Sequence, residues 1–343
     1  MGLFSLFTKE IAIDLGTANT VILHDDKVLN EPSIIAIDKN TRQVIAVGKR
    51  AQMMHGHVHP NILTIRPLKD GVIADFHNTE LMLKEFIKMT IKMTTPRGYL
   101  FPPALKMVIC IPSGITEVEE RAVRDSAEQA GAKEVRMIHE PMAAAIGIGL
   151  DVLNPNGNMV IDIGGGTSEV AVLALGGIVT SRSSQIAGDE FNENIIDYMR
   201  RKHNLSIGET TAELIKFNVG SAIEELDNPP EDYEVYGRDL VEGLPKSVKV
   251  NYREIAKALN HSISEIEGAI LSALESTPPE SSADIYKNGI YIAGGGALLR
   301  GLDKRISALT HLQVHIADNP LMAVARGTSI ALKNFDKFDF LIK

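Results

Sequence analysis

Two aspartates occupy matching places in the sequence. Asp14 follows the apolar residues 11–13 and Asp162 follows the apolar residues 159–161, and each is followed by one apolar residue and a glycine. Two carboxylates that come close together favour a cation between them. Mg²⁺ is typically bound through few carboxylates, retained waters and substrate phosphates. If a pseudo-twofold axis brings the two residues together, the pair predicts a magnesium and phosphate site, whereas either one alone would be an ordinary solvated strand-end residue.

Three glycine-rich segments also follow apolar stretches. They contain Gly16, Thr17, Ala18, Asn19 and Thr20; Gly164, Gly165, Gly166, Thr167 and Ser168; and Gly294, Gly295, Gly296 and Ala297. Glycine allows backbone N–H groups to approach an anion closely and allows positive φ, and adjacent hydroxyls can donate to phosphate oxygens. A single segment of this kind would indicate only a tight turn. Two in matching positions, each preceded by an aspartate, predict phosphate-binding loops. The sequence contains neither a Walker A motif nor a dinucleotide-binding glycine pattern.

Glu140 is the remaining candidate for chemistry. It lies directly before Pro141, at a predicted junction between a strand and a helix, and the matching position in the other half holds Asn319. A carboxylate on one side only could orient and polarise the water that attacks a γ-phosphate. A carboxylate that merely stabilises a helix N-terminus explains the position equally well.

The elements that must position these residues recur in the same order in two halves of the chain. In each half, the aspartate-bearing strand is followed by two strands at hairpin spacing: 20–24 and 28–29 in one half, 169–173 and 178–180 in the other. Later strands at 108–111 and 290–293 each lead through a helical stretch to one more strand. Because the later parts alternate strand and helix, we expect two related α/β domains with parallel pairing in a covered sheet.

Helices are predicted at 79–93, 115–130 and 209–225 from their apolar periodicity. The second should begin at Thr116, with Glu119 completing a capping box, and end at Gly131.

Bulk composition excludes several classes of protein. The chain has 343 residues, 44% of them hydrophobic and 23% charged, which indicates a globular protein of about two domains. A net charge of −9 argues against a general nucleic-acid binder. Cys110, the single cysteine, lies in an apolar run and is expected to be a buried strand thiol in a reducing compartment. No apolar run reaches the roughly 18 residues of a membrane-spanning helix.

These motifs resemble the actin, sugar kinase and heat-shock chaperone superfamily, and within it most closely the MreB family of bacterial actin homologues, over essentially the whole chain. IAIDLGT at 11–17 and MVIDIGGGT at 159–167 resemble the two phosphate motifs, and YIAGGGALL at 291–299 resembles the adenosine motif. LKDGVIADF at 68–76, HEPMAAAIG at 139–147 and TAELIK at 211–216 match the bacterial family. The resemblance implies an α/β fold of two RNase H-like (actin-like) domains around a nucleotide cleft, each with a smaller inserted subdomain. Residues 1–150 with 321–343 would form domain I, and residues 151–320 domain II.

The resemblance also implies ATP and Mg²⁺ as cofactors of a slow ATPase. Asp14 and Asp162 would organise Mg²⁺ through its waters, and Asp162, Glu140 and Thr167 would serve hydrolysis. The first two glycine-rich loops would hold the phosphates. The nucleoside would lie between Gly294, Gly295, Gly296 and Ala297 on one side and the 212–216 segment on the other. That segment consists of Ala212, Glu213, Leu214, Ile215 and Lys216.

Partners follow from the same resemblance. Members polymerise into paired protofilaments at the inner face of the cytoplasmic membrane and guide cell-wall synthesis in rod-shaped cells, together with membrane-anchored morphogenesis proteins. The expected membrane contacts are an apolar N-terminal segment and an apolar loop. They contain Leu3, Phe4, Leu6 and Phe7, and Tyr99, Leu100 and Phe101. The N-terminal segment could instead dock in a neighbouring groove.

A small-molecule kinase of the same fold is the main alternative to a filament protein. It would place a soluble substrate beside the second phosphate loop. A chaperone ATPase would need a peptide-binding region after the ATPase core, and no sequence remains for one before Lys343. The apolar N-terminus favours the filament.

Overall fold

The computed structural model describes residues 8–56, 60–94 and 104–343. The strands are β1 (Thr8–Leu15), β2 (Asn19–His24), β3 (Lys27–Pro32), β4 (Ile35–Asp38), β5 (Val44–Val47), β6 (Ile62–Ile65), β7 (Leu68–Lys69), β8 (Val72–Ile73), β9 (Ala104–Ile111), β10 (Ala132–His139), β11 (Asn158–Ile163), β12 (Ser168–Ala174), β13 (Gly177–Ser184), β14 (Leu205–Ser206), β15 (Tyr233–Asp239), β16 (Pro245–Val250), β17 (Ile290–Ala293) and β18 (Val314–Ile316). The α-helices are α1 (Lys49–Gln52), α2 (Phe76–Thr94), α3 (Glu117–Gln129), α4 (Glu140–Ile148), α5 (Gly188–His203), α6 (Glu209–Val219), α7 (Tyr252–Glu275), α8 (Pro279–Asn288), α9 (Leu302–Thr310) and α10 (Ala323–Lys333). Within these residues, none of the helices is both long enough and apolar enough to cross a membrane.

Two five-stranded sheets repeat one strand order. The first runs β10-β9-β1-β2-β3, and the second runs β18-β17-β11-β12-β13. Strand by strand, β1 corresponds to β11, β9 to β17 and β10 to β18, and these strands pair in parallel within each sheet. The repeat predicted from the two aspartate segments is therefore confirmed, and Asp14 and Asp162 each occupy the penultimate position of a central strand.

Smaller sheets are inserted in both halves. The sheet β5-β4-β6 and the hairpin β7-β8 come between β3 and β9, and the sheet β14-β15-β16 comes between β13 and β17. The chain divides into two compact units. The first comprises Met1–Asn156, Leu173–Val179 and Leu321–Lys343, and the second comprises Gly157–Val172 and Thr180–Pro320. The domain boundaries expected from the sequence stay a prediction.

Each unit has its own apolar core. In the first unit, Ile11, Ile13 and Met107 from the sheet pack with Phe86 of α2 and Val123 of α3. In the second unit the strands β11 and β17 pack with α5, α6, α7 and α9. Cys110 lies in β9 and is 3% exposed, as expected for a buried strand thiol.

The starts of α3 and α6 agree with the sequence, whereas α2 begins at Phe76, three residues before the predicted start. The capping box at α3 is present, since Glu119 N donates to Thr116 Oγ1 at 3.3 Å and Thr116 N donates to Glu119 Oε2 at 2.9 Å. The prediction that α6 extends to residue 225 is wrong, because the helix ends at Val219. Beyond Gly220 the backbone pairs elsewhere: Ala222 N donates to Arg300 O at 2.8 Å. Tertiary pairing therefore overrides the helical periodicity.

In the first unit, α4 and α10 approach each other so closely that only glycine fits at two points. A Cβ at Gly147 would lie 1.8 Å from Ala323 O, and a Cβ at Gly327 would lie 1.8 Å from Ala143 O. The contact is reciprocal, with an alanine and a glycine four residues apart on each helix. Because the clashing atoms are backbone carbonyl oxygens, no side-chain rearrangement can relieve an added methyl group.

We expect Gly327→Ala to destabilise the protein by roughly 3 kcal/mol, because the two helices must separate to admit the methyl group. The matched control is Gly268→Ala in α7, where nothing lies within 4 Å of the added Cβ. Replacing a helix-interior glycine in open space should stabilise by about 0.5–1 kcal/mol. Thermal unfolding should therefore shift in opposite directions, and a Gly327→Ala midpoint at or above wild type would contradict the packing argument.

Candidate functional site

The turn between β1 and β2 is held in place from two sides. Ser33 Oγ donates to Gly16 O at 2.6 Å, and Ser33 N donates to Ala18 O at 2.9 Å. Gly71, at the turn of the β7-β8 hairpin, donates its N–H to Thr17 Oγ1 at 3.0 Å. The Thr17 hydroxyl accepts this bond, so its hydrogen can point toward a ligand.

At two of the predicted phosphate-binding positions in this turn, Gly16 and Thr20, packing within the fold explains the residue type. A Cβ at Gly16 would lie 2.7 Å from Asn19 O, so the turn requires glycine at that position. Thr20 is fully buried, and its Oγ1 lies 2.9 Å from Ser33 Oγ. Its side chain therefore braces the turn, and a ligand would reach Thr20 through the backbone.

Glu140 is the first residue of α4, directly after β10, and is half-buried. Asp14 pairs with Cys110 of β9, and Cys110 pairs with Ile138 of β10. Because neighbouring strands are about 4.8 Å apart, the backbones at Asp14 and Ile138 are separated by about 10 Å along one sheet edge. The first unit thus carries Asp14, the β1-β2 turn and Glu140 at the carboxyl ends of its parallel strands.

In the second unit, the turn between β11 and β12 corresponds to the β1-β2 turn of the first unit. Gly164 N donates to Thr167 O at 2.8 Å. The N-terminus of α5 lies against the same turn: Gly188 N donates to Gly164 O at 3.2 Å and Asp189 N donates to Gly165 O at 2.8 Å. Thr167 is 7% exposed. These bonds fix the turn rigidly, as an anion-binding loop requires.

The third glycine-rich segment packs directly on the strand that bears Asp162. Gly294 has φ +77°, and a Cβ there would lie 2.3 Å from Ile163 O and 2.5 Å from Asp162 Oδ1. A Cβ at Gly296 would lie 2.2 Å from Ile163 Cγ2. Gly295 is exposed and Ala297 is buried. Close packing therefore requires two of the three glycines, and the exposed backbone at Gly295 is the part open to a ligand.

The 212–216 segment of α6 divides into core and surface positions. Ala212 and Ile215 are fully buried in the second unit's core, whereas Leu214 is 44% exposed. Lys216 Nζ donates to Gly188 O at 2.8 Å, which places the ammonium group beside the β11-β12 turn. Burial lowers the pKa of Lys216, although the carboxylates of Glu213, Asp189 and Glu209 oppose that shift. Glu213 and Lys216 are thus the polar groups that this segment offers.

The electrostatics of Asp14 suit a cation-binding group. Its side chain is partly accessible, but burial among the surrounding protein atoms raises its pKa from 3.8 to about 7. A carboxyl group in this environment is ionised unfavourably and gains most from a nearby positive charge. Asp162, at the matching place in β11, is 5% exposed. Both residues are of the type that binds Mg²⁺.

Sequence reasoning did not identify the residues that brace the turns, namely Ser33, Gly71 and Gly188. Each is a small residue far along the chain from the turn it contacts, and its role depends on pairing that only the fold creates. The membrane-contact prediction, at Leu3, Phe4, Leu6, Phe7, Tyr99, Leu100 and Phe101, lies outside the described residues.

Comparison with known proteins agrees with this architecture. The sequence pattern of the MreB/Mbl protein family matches residues 8–339. The chain is 48% identical over 335 residues to the cell shape-determining protein Mbl of Bacillus subtilis (strain 168), covering 97% of this chain and 98% of that protein. It is 47% identical over 337 residues to the cell shape-determining protein MreB of Escherichia coli (strain K12), covering 96% and 95%.

Solved structures extend the similarity to three dimensions. The crystal structure of MreB 5 of Spiroplasma citri bound to AMPPNP superimposes with a TM-score of 0.89 at 38% identity, covering 96% of this chain and 97% of that one. The same protein bound to ADP gives a TM-score of 0.88. The MamK double helical filament gives a TM-score of 0.78 at 21% identity, covering 96% of this chain and 99% of that one, and shows likeness of fold alone.

Two sheets of one strand order, each with a glycine turn after its aspartate-bearing central strand, define an actin-like protein, which confirms the predicted fold class. The chain belongs to the MreB/Mbl family. This assignment supports the cytoskeletal prediction made from the motifs and not the alternative of a small-molecule kinase.

We expect Asp14→Asn to raise the unfolding temperature of the nucleotide-free protein at pH 8 by several degrees. The pKa of Asp14 is higher in the folded protein, at about 7, than the usual 3.8. The stability that the neutral carboxyl contributes is complete below about pH 4 and is lost as the pH rises through 7. The neutral amide avoids this loss, so its benefit should be larger at pH 8 than at pH 5.

The control is Asp26→Asn, which removes an exposed carboxylate at the β2-β3 turn. It should leave the unfolding temperature almost unchanged at both pH values. Equal shifts for the two variants, or a benefit from Asp14→Asn that does not grow with pH, would refute the assignment of a desolvated carboxyl.

Proposed function

We propose that the chain is an ATP-dependent cytoskeletal protein that polymerises into membrane-associated filaments and helps to maintain rod cell shape by guiding cell-wall synthesis. The observation that carries the proposal is the pair of braced turns, each directly after a strand-end aspartate, in a chain of the MreB/Mbl family. A relative at 38% identity was crystallised with AMPPNP and with ADP, which supports nucleotide binding by the same turns.

Each turn has a role in holding ATP. The backbone N–H groups of residues 16–20 and 164–167, with the Thr17 and Thr167 hydroxyls, would bind the phosphates. The ribose and adenine would contact Glu213 and Lys216 on one side and Gly294–Ala297 on the other. The ammonium group of Lys216 lies beside the second turn, so it also adds positive charge near the phosphates.

Mg²⁺ would be held by Asp14 and Asp162, near the ends of β1 and β11, through its coordinated waters. When bound, the ion neutralises charge on the β- and γ-phosphate oxygens. Asp14 gains from this arrangement, because a positive charge nearby favours the ionised form that burial disfavours.

Glu140, with Thr167, would position the water that attacks the γ-phosphate. A carboxylate at the first residue of α4 is fixed by the helix and lies on the same sheet edge as Asp14. An oriented carboxylate can accept the proton of the attacking water. Hydrolysis would be slow and coupled to polymerisation, and Asp162 would contribute by organising the metal ion.

Filament assembly and membrane binding complete the proposal. The partners are further copies of the chain in paired protofilaments, lipid of the cytoplasmic membrane at its inner face, and proteins of cell-wall elongation and membrane-anchored morphogenesis. One described feature supports membrane contact: Thr8 pairs with Ala104 at the start of β1 and β9. Residues 1–7 precede β1 and residues 99–101 precede β9 in the chain, and these two strands are neighbours in the sheet, which supports membrane contact through both apolar segments.

We expect Glu140→Ala to bind ATP normally but to hydrolyse it roughly 10²-fold more slowly, as for loss of a positioned general base. The matched control is Glu117→Ala, which removes a carboxylate from the first turn of another helix in the same unit. If Glu140 served only the helix N-terminus, both variants would hydrolyse ATP at the wild-type rate and lose similar, small amounts of stability. Phosphate release and fluorescent-nucleotide binding measure the two effects separately.

Removal of residues 1–7 should abolish co-sedimentation with anionic liposomes and leave the fold intact, because β1 begins at Thr8. Circular dichroism and ATP binding report on the fold. Unchanged co-sedimentation of the truncated protein would reject the N-terminal membrane contact. Electron microscopy of the purified protein with ATP on a lipid layer tests the whole proposal, which fails if no filaments form.

A further inference from the structure

Ser33 follows β3 directly, at the point where the chain enters the small β5-β4-β6 sheet, and it is fully buried. Its main chain and its side chain both contact the β1-β2 turn, since Ser33 N donates to Ala18 O and Ser33 Oγ donates to Gly16 O. A single buried residue thus holds two alternate carbonyl groups of the predicted phosphate-binding turn.

These two hydrogen bonds also determine where N–H groups of the turn point. A peptide group is planar and trans, so the N–H of each residue points opposite to the carbonyl group of the residue before it. The carbonyl groups of Gly16 and Ala18 both point toward Ser33. The N–H groups of the next residues, Thr17 and Asn19, therefore both point away from it. Backbone N–H groups that face one side of a turn form a site for an anion such as a phosphate oxygen.

The direction of each hydrogen bond in this contact follows from the available hydrogens. Ser33 Oγ donates its only hydrogen to Gly16 O, so Thr20 Oγ1 must be the donor in its 2.9 Å contact with Ser33 Oγ. The result is a chain from the Thr20 hydroxyl through the Ser33 hydroxyl to the Gly16 carbonyl oxygen. Hydrogen bonds in such a chain strengthen one another, and bulk water does not compete for them because Thr20 and Ser33 are fully buried.

The segment that carries Ser33 is itself held on both sides. Before Ser33, Glu31 Oε2 accepts from Lys49 N at 2.7 Å, and after it, Ile34 O accepts from Gly48 N at 2.9 Å. A Cβ at Gly48 would lie 2.2 Å from Glu31 Oε2, so this contact requires glycine. Ser33 therefore has a fixed position from which it orients the turn.

We propose that Ser33 is a positioning residue for ATP, which holds two carbonyl groups of the β1-β2 turn so that the N–H groups of Thr17 and Asn19 face the phosphates. The inference rests on the proposed function, in which this turn binds the phosphates, and adds the residue that orients the donors. Donors oriented in advance stabilise an anion without a cost of reorganisation. Without the Ser33 hydroxyl, the peptide group that follows Gly16 is free to rotate and to turn its carbonyl oxygen toward the phosphates, which repel it.

The first test is Ser33→Ala, measured as the dissociation constant for ATP by competition with a fluorescent nucleotide in the presence of Mg²⁺. ATP binding should weaken roughly tenfold, which is the upper range for one buried hydrogen bond. Adenosine has no phosphates, so in the same competition it should bind the variant and wild type equally. Because Glu140 is unchanged, the hydrolysis rate at saturating ATP should stay within about twofold of wild type, as expected when only uniform binding is lost.

The control is Thr90→Val in α2. Thr90 is also fully buried in the first unit, and its Oγ1 donates to Phe86 O at 2.9 Å. Both variants remove one buried hydroxyl from the same unit, so both should lower the unfolding temperature. Only Ser33→Ala should weaken ATP binding, and the comparison therefore separates a positioning role from a structural one.

The second test is Thr20→Val, alone and combined with Ser33→Ala. Valine keeps the shape of threonine but removes the hydroxyl that donates to Ser33 Oγ, so ATP binding should weaken roughly threefold. The two effects should not multiply in the double variant, because residues in one hydrogen-bond chain are coupled. The double variant should bind ATP about as weakly as Ser33→Ala alone. Thr20→Val also keeps the inference testable if Ser33→Ala does not fold.

The outcomes separate this inference from the proposed function. If wild-type protein does not bind ATP, both fail. If wild type binds ATP but Ser33→Ala binds it equally well, or binds adenosine as poorly as ATP, only the positioning role of Ser33 is overturned. That role is also overturned if the effects of Thr20→Val and Ser33→Ala multiply. Should Ser33→Ala not fold, normal ATP binding by Thr20→Val overturns it.

Discussion

Close backbone contact at glycine positions is the constraint on which both the fold and the candidate site depend. Gly147 and Gly327 allow α4 and α10 to meet in the first unit, and α4 carries Glu140 at its first residue. Gly294 and Gly296 allow the third glycine-rich segment to pack on the strand that bears Asp162. In each case a Cβ added to the glycine would lie only 1.8–2.3 Å from a neighbouring atom, which is closer than van der Waals contact allows. A methyl group would therefore displace an element of the candidate site as well as loosen the packing.

Tertiary contacts also determine the electrostatic environment of the candidate site residues. The turns after β1 and β11 are held by hydrogen bonds from Ser33, Gly71 and the N-terminus of α5, so their remaining polar groups are oriented before any ligand arrives. Asp14 lies where burial disfavours its charge. Fixed donors gain more from a bound anion, and an unfavourably ionised carboxyl gains more from a nearby cation, than flexible, solvated groups would.

Residue patterns were sufficient for much of the fold. The repeat of an apolar strand, an aspartate and a glycine identified β1 and β11 as equivalent, and the sheet orders agree. The capping box at Thr116 and Glu119 located α3, because capping depends on residues that are close in sequence. The end of α6 could not be found in this way. Its periodicity continues past Gly220, but the backbone there pairs with Arg300, which is distant in sequence.

The sequence by itself determined which residues are candidates for the chemistry: two strand-end aspartates, three glycine-rich turns and one unmatched glutamate. It could do so because their types and local spacing reflect strand, turn and helix boundaries, which are short-range features. Only the tertiary structure decided which glycines are required by packing, that Ala212 and Ile215 of α6 are core residues, and that Ser33, Gly71 and Gly188 brace the turns. These roles depend on contacts between residues far apart in the chain, and no local pattern encodes such contacts.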